Sequence, residues 1–289
     1  MQNFCKAIFF AFLIILNSFI TSAQSVKEPT DTPAEWSKTY KPFRIAGNLY
    51  YVGTYDLACY LITTSKGNIL INTGLANSGK IIEDNIKALG FKLADTKILL
   101  TTQAHYDHMG AMALLKKKTG AKVMVNEADA QVMKDGGSSD YALGKGVRTY
   151  APVNPDRLLK NNDLITLGNT TLKMLNHPGH TKGSCSYIFD VKDGKKTYKV
   201  LIANMPTIVT DKPFAEVKNY PNISSDYNYT LKAMKPLKFD IWLSSHASQF
   251  ELHKKHQPGD PYKPEAFIDR QGYENSLAEL QKAYNKKVQ

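Results

Sequence analysis

Two imidazoles, one carboxylate and one amide stand within six residues of each other in Gln103-Ala104-His105-Tyr106-Asp107-His108, directly after an apolar run. A chain that leaves a strand and turns can bring side chains 103, 105, 107 and 108 to one spot. Nitrogen and oxygen donors of these kinds are the set that zinc accepts. His180 stands in His177-Pro178-Gly179-His180, a Pro-Gly turn after a second strand-like run, and His246 ends a third. Three histidine-bearing positions at strand ends describe ligands gathered along one sheet edge. The chemistry open to such a cluster is metal-assisted hydrolysis, in which the ion polarises a carbonyl and lowers the pKa of water towards about 7. Serine chemistry of the S-x-x-K type lacks its partner motifs here. His177 reads as a structural residue that orients the turn before His180. His253 and His256 stand alone and read as structural too.

The elements that position these residues are legible as patterns. Residues 43–54 break at Gly47-Asn48 and residues 59–72 break at 65–68, giving two hairpins. Ser78 is expected to cap a helix whose apolar face carries Ile81, Ile82, Ile86 and Leu89, with Gly90 ending it. A strand at 97–102 leads into the His-rich segment. A helix at 111–118, a strand at 121–125 and a second short helix near 128–134 follow. The glycine- and serine-rich stretch from Gly136 to Gly146 reads as a mobile flap on the substrate side. Hairpins are predicted from 163–167 with 170–175, and from 185–191 with 197–203. A helix near 225–234, a strand at 239–244 and a final helix at 276–287 complete the pattern. It implies one α/β domain built on mixed sheets.

The 289 residues carry 37 Lys plus Arg against 26 Asp plus Glu, a net charge of +11. Lys116-Lys117-Lys118, Lys195-Lys196 and Lys254-Lys255 are the short basic runs, and they read as solvated faces. None is interleaved with aromatics as a nucleic-acid platform requires, so no nucleic-acid partner is expected. Lys6, an apolar run from 7 to 20 and Thr21-Ser22-Ala23 read as a cleavable export signal over 1–23. That leaves 24–289 as the working domain, without a membrane span, and places it in the periplasm. Cys59 and Cys185 sit in apolar, strand-like runs and read as buried thiols. A single bridge between them stays open at this level.

Taken together, the motif resembles the H-x-H-x-D-H signature of the metallo-β-lactamase superfamily, with Gln103 in place of its first histidine. Residues 43–54, 68–74 and 245–250 extend the similarity over the chain from 24 onwards. It resembles a class B metallo-β-lactamase of subclass three, and most nearly the GOB enzymes, in which glutamine stands at that ligand position. The resemblance implies a four-layer αββα sandwich with two mixed β-sheets and the site on the rim between them. It implies one or two zinc ions per chain, with Gln103, His105 and His180 at one and Asp107, His108 and His246 at the other. Asp107 would orient the hydroxide. The amide of Gln103, a weaker donor than imidazole, predicts the weaker site. Thr207 and Tyr55 are the expected substrate contacts, and Met205 is expected to pack beside the site without binding metal. The implied activity is hydrolysis of β-lactam antibiotics by a monomer that takes a small-molecule substrate. A lactonase or thioesterase on the same fold, a nuclease and a non-catalytic metal protein are the competing classes.

Overall fold

The computed structural model describes residues 25–289, so the leader expected at 1–23 lies outside the described residues. The first sheet contains β1 (Phe43–Ala46), β2 (Leu49–Tyr51), β3 (Tyr60–Thr64), β4 (Gly67–Ile71), β5 (Thr96–Leu100), β6 (Lys122–Asn126) and β7 (Arg157–Leu159), in that spatial order. Its first four strands pair antiparallel and its last four parallel. In the second sheet β8 (Leu164–Leu167), β9 (Thr170–Asn176), β10 (Cys185–Asp193) and β11 (Lys196–Ala203) run antiparallel, and β12 (Ile241–Ser244) pairs parallel with β11. The helices are α1 (Ser78–Ala88), α2 (Tyr106–Met109), α3 (Met112–Thr119), α4 (Ala130–Lys134), α5 (Ile223–Met234), α6 (Leu252–Lys255) and α7 (Arg270–Lys287).

The two-residue period of a strand explains the layering. Ile62, Ile69, Ile71, Ile98 and Leu100 face the core shared with Leu172, Met174, Tyr187 and Phe189 of the second sheet. Their neighbours Leu61, Leu70, Leu99, Val123 and Val125 face the other way, against Ile82 and Ile86 of α1 and Met112 and Leu115 of α3. Each such fully buried side chain contributes about 1.5–3 kcal/mol. On the opposite side Tyr273 of α7 meets Trp242 of β12 edge-on at 5.5 Å. The result is the expected αββα sandwich with two mixed sheets. Cys59 lies in the layer under α1 and α3 and Cys185 lies between the sheets, and both are free and buried.

Several local expectations change. Asn77 precedes α1 as its N-cap, and Ser78 is the first helical residue, its hydroxyl accepting from Leu75 N–H at 3.0 Å. Gly90 does end the helix, at φ 85°. Its N–H reaches Lys87 O and the Phe91 N–H reaches Ile86 O, the Schellman arrangement. The final helix begins at Arg270 rather than 276, because Asp269 accepts from Gly272 N–H and caps it six residues earlier than the apolar pattern begins. The last strand is confined to Ile241–Ser244. The edge strand β7 is too short at three residues to show a period. Lys255 is not a solvated lysine: its side chain is 10% exposed and pairs with Asp269 at 2.6 Å, beneath the Trp242 ring.

The strands end where the chemistry is. β5 runs out into residues 101–109, β9 into the turn carrying His180, and β12 into His246. Asn72, at the end of β4, takes φ 63°, a conformation asparagine tolerates better than most residues. From there its Oδ1 accepts from Thr102 N–H at 2.9 Å, and Thr73 N–H and Oγ1 both donate to His108 O at 2.9 Å. The loop is thereby pinned from the neighbouring strand at both ends.

Candidate metal centre

Two clusters form on the rim. In the first, His105 Nδ1 faces His180 Nε2 at 3.1 Å. His180 Nδ1 donates to Thr207 O at 2.8 Å, and His105 Nε2 makes no hydrogen bond but lies at ion-pair distance, 3.3 Å, from Asp140 Oδ2. A carbonyl and a carboxylate can only accept, so the protons belong on those nitrogens and two lone pairs point at each other. Such a pair is satisfied by one shared proton or by a metal ion held between its members. Two tetrahedral zinc ligands at 2.0–2.1 Å from the ion lie roughly 3.3 Å apart, so the spacing fits a metal. Gln103 is buried in the same loop, and its Oε1 accepts from Asn204 Nδ2 at 2.9 Å, which fixes the amide oxygen against a flip.

In the second cluster Asp107 Oδ2 lies 3.1 Å from His108 Nε2 and 3.3 Å from His246 Nε2. The donor atoms of Asp107, His108 and His246 all lie within 4.8 Å of one another. Both ring nitrogens of His108 are buried without a hydrogen-bond partner, a costly state that a metal bond relieves. His246 Nδ1 donates to Asp56 Oδ2 at 3.1 Å. Asp56 is itself held by Trp36 Nε1–H at 3.1 Å and Ser248 N–H at 2.8 Å. This is a carboxylate–histidine arrangement that orients a metal ligand and raises its basicity.

The electrostatics follow from burial and pairing. Burial would raise the Asp107 carboxyl, but His108 and His246 hold it well below the usual carboxylate range. Burial works against charge on His246, yet Asp107 and Asp56 lift it to about 9. Burial, with His105 adding to it, pushes His180 down to about 3, so it is a neutral donor at neutral pH. The charges on Asp107 and His108 reach His180 as well, so the two clusters adjoin. Burial works against charge on His105, but Asp140, Asp107 and Asp129 together raise it.

His105 meets His180, and Asp107 meets His108 and His246, while Gln103 lies buried in the same loop. Thr207 touches the site through His180, whose Nδ1 also lies 2.9 Å from its hydroxyl. The Tyr55 ring is stacked on His253 at 3.8 Å, with Lys38 over its face. Met205 is buried in the core beside Asn204. His177 is buried and bonded to Ser186 Oγ at 2.6 Å, as its structural reading requires. His253 Nε2 donates to Tyr55 O at 2.9 Å, and His256 stacks on Phe43 at 3.6 Å.

The 136–146 segment, expected as a mobile flap, is a hydrogen-bonded turn. Backbone bonds such as Gly146 N–H to Ser138 O at 3.1 Å and Thr149 N–H to Gly136 O at 2.8 Å close it on itself. Beside it opens a cleft of about 590 Å³, with Tyr141, Leu143 and Lys145 on one wall and Val209, Lys212 and Lys218 on the other. Four supporting residues carried no sequence signal: Asp56, Asp129, Asp140 and Asn204. Asp129 is a knot between the two ligand loops, accepting from Ala104 N–H at 3.0 Å, Thr181 Oγ1 at 2.7 Å and Gly183 N–H at 2.7 Å.

The model of the metallo-β-lactamase superfamily matches residues 53–193. Among solved structures, the metallo-β-lactamase GOB-18 from Elizabethkingia meningoseptica is 60% identical with a TM-score of 0.91, over 92% of this chain and 99% of that one. The class B3 di-zinc metallo-β-lactamase LRA-12 from an Alaskan soil metagenome is 66% identical with a TM-score of 0.90, over 91% of this chain and all of that one. A curated hydroxyacylglutathione hydrolase from Bradyrhizobium is 30% identical over 131 residues, and the matched stretch spans only 42% of that protein.

Proposed function

Since this chain belongs to the metallo-β-lactamase superfamily, and within it to class B3, we propose that it is a zinc hydrolase opening the lactam amide of β-lactam antibiotics and so conferring resistance. One observation carries the reading: two adjoining ligand clusters share the strand-end loop 103–108, in a chain 60% identical to GOB-18 over almost all of it. Gln103, His105 and His180 would hold one zinc, and Asp107, His108 and His246 the other. Zinc at these positions supplies Lewis acidity toward the lactam carbonyl and brings the pKa of water towards about 7.

The chain's own residues do the rest. Asp107, ionised across the working pH range, is placed to accept a hydrogen bond from the attacking water and fix its direction. Asp56 and Thr207 hold His246 and His180 by the ring nitrogens that face away from the clusters. Thr207, partly exposed beside His180, is the better supported of the two expected substrate contacts, because the Tyr55 ring is already engaged. All six ligands come from one chain, so a monomer suffices. Residues 24–289 would act as one catalytic domain, released to the periplasm by cleavage of 1–23.

Gln103 contributes a neutral amide oxygen that already accepts from Asn204, so its site is the weaker one and one or two zinc ions are held per chain. Dialysis against a weak chelator followed by metal counting tests this, and two equally retained ions would refute it. The activity itself is tested by hydrolysis of a cephalosporin, a penicillin and a carbapenem with EDTA and with zinc restored. Turnover lost to EDTA and regained with zinc is expected. A folded, zinc-loaded protein that leaves lactams intact but cleaves a thioester or lactone would move the function to the chemistry named for the Bradyrhizobium relative.

A further inference from the structure

Asp140 is a buried carboxylate to which the chemistry above gives no task. Its side chain is 3% exposed, and Oδ2 lies 3.3 Å from His105 Nε2. Oδ1 is separately engaged, accepting from Ala142 N–H at 2.9 Å and Leu143 N–H at 2.7 Å. The loop therefore orients the carboxylate on one side, and the imidazole meets it on the other.

The next residue braces the other imidazole of the same cluster. Tyr141 OH donates to Gly179 O at 3.1 Å, one residue before His180. Consecutive loop residues thus support both rings whose bare nitrogens face each other at 3.1 Å. The turn needs its glycines: Gly136, Gly137 and Gly146 have φ of 71°, 90° and 74°. A Cβ on Gly144 would lie 2.5 Å from the carbonyl oxygens of Gly137 and Ser138. The glycines supply the backbone conformations and close approaches that this turn requires.

We propose that Asp140 is a positioning residue for the Gln103-bearing site, holding the His105 proton on Nε2 so that Nδ1 is left as the metal donor. A neutral imidazole carries one ring proton, and a carboxylate at Nε2 decides where it goes. The negative charge also makes the ring a better donor, which offsets the neutral amide at 103. The inference deepens the reading of this site as a zinc site and does not depend on the substrate.

Asp140→Asn separates this role from simple support of the loop. The two backbone N–H donors keep the amide oxygen where Oδ1 was, so the loop persists. The amide NH2 then faces His105 Nε2 as a donor and drives the ring proton to Nδ1. In the full chain, chelator competition should show zinc retention at the Gln103 site falling about 10- to 100-fold, with the Asp107 site unchanged. Nitrogen NMR should show the His105 proton moving from Nε2 to Nδ1. A folded Asp140→Asn protein with the wild-type tautomer and wild-type retention of both metals would overturn the proposal. So would a zinc-loaded wild-type protein carrying the His105 proton on Nδ1, a measurement that needs no variant to fold. Absence of lactam turnover in the wild type would sink the functional reading while leaving these metal and NMR results to stand or fall separately.

Discussion

The two clusters differ in where their negative charge sits. At Asp107, His108 and His246 a carboxylate is itself a candidate ligand, and a second carboxylate, Asp56, stands behind His246. At Gln103, His105 and His180 the candidate ligands are all neutral or basic, and the charge is one step removed, on Asp140 behind His105. Direct charge gives affinity, while charge held behind a ring gives orientation and basicity. The comparison teaches that these sites are to be ranked by their supporting residues as well as by their donors.

The comparison can be broken most directly at its strong end. Asp107→Asn should abolish measurable lactam turnover and release metal from its own cluster first, read by steady-state hydrolysis beside metal analysis. Retention there at the wild-type level would show that the direct carboxylate is not what distinguishes the clusters. Asp56→Asn leaves every ligand in place and should weaken the same cluster by about 10- to 100-fold in a chelator competition. An effect confined to the other cluster would reverse the assignment.

Two smaller changes sharpen the weak end. A Cβ at Gly183 would lie 2.5 Å from Asp129 N and 2.6 Å from its carboxyl carbon, against the knot between the 103–108 loop and the His180 turn. Gly183→Ala should cost about 1–3 kcal/mol of stability and lower the melting temperature by several degrees. It should loosen the Gln103 cluster before the other. An unchanged melting curve would mean that the turn yields freely. Gln103→His supplies an imidazole where an amide now stands and should bring that cluster's zinc retention nearer to its neighbour's, the smallest effect of the four. A loss of retention would show that Asn204 has shaped the pocket specifically for the amide.

What was legible in the sequence is what is local in it. Gln103, His105, Asp107 and His108 lie within one loop, and His180 and His246 announce themselves at strand ends. The turn residues at Gly47-Asn48 and 65–68 marked the first two hairpins. Asp56, Asp129 and Asp140 were silent, because a lone aspartate in a loop has the same appearance whether it faces water or a histidine. Glycine composition alone does not separate mobility from turn geometry: Gly136, Gly137 and Gly146 all stand at positive φ. The early start of α7 was hidden because its cap, Asp269, precedes the first apolar repeat.

Each cluster draws on both sheets, since the 103–108 loop leaves β5 of the first and His180 and His246 follow β9 and β12 of the second. A bound ion is then a cross-link between the two halves of the sandwich, and folding and zinc binding become one linked equilibrium. At a free zinc level a hundredfold above the dissociation constant, a single site adds about 2.7 kcal/mol to the stability of the folded state. On the zinc reading proposed above, the melting temperature of this chain would follow the zinc activity around it, as well as its sequence.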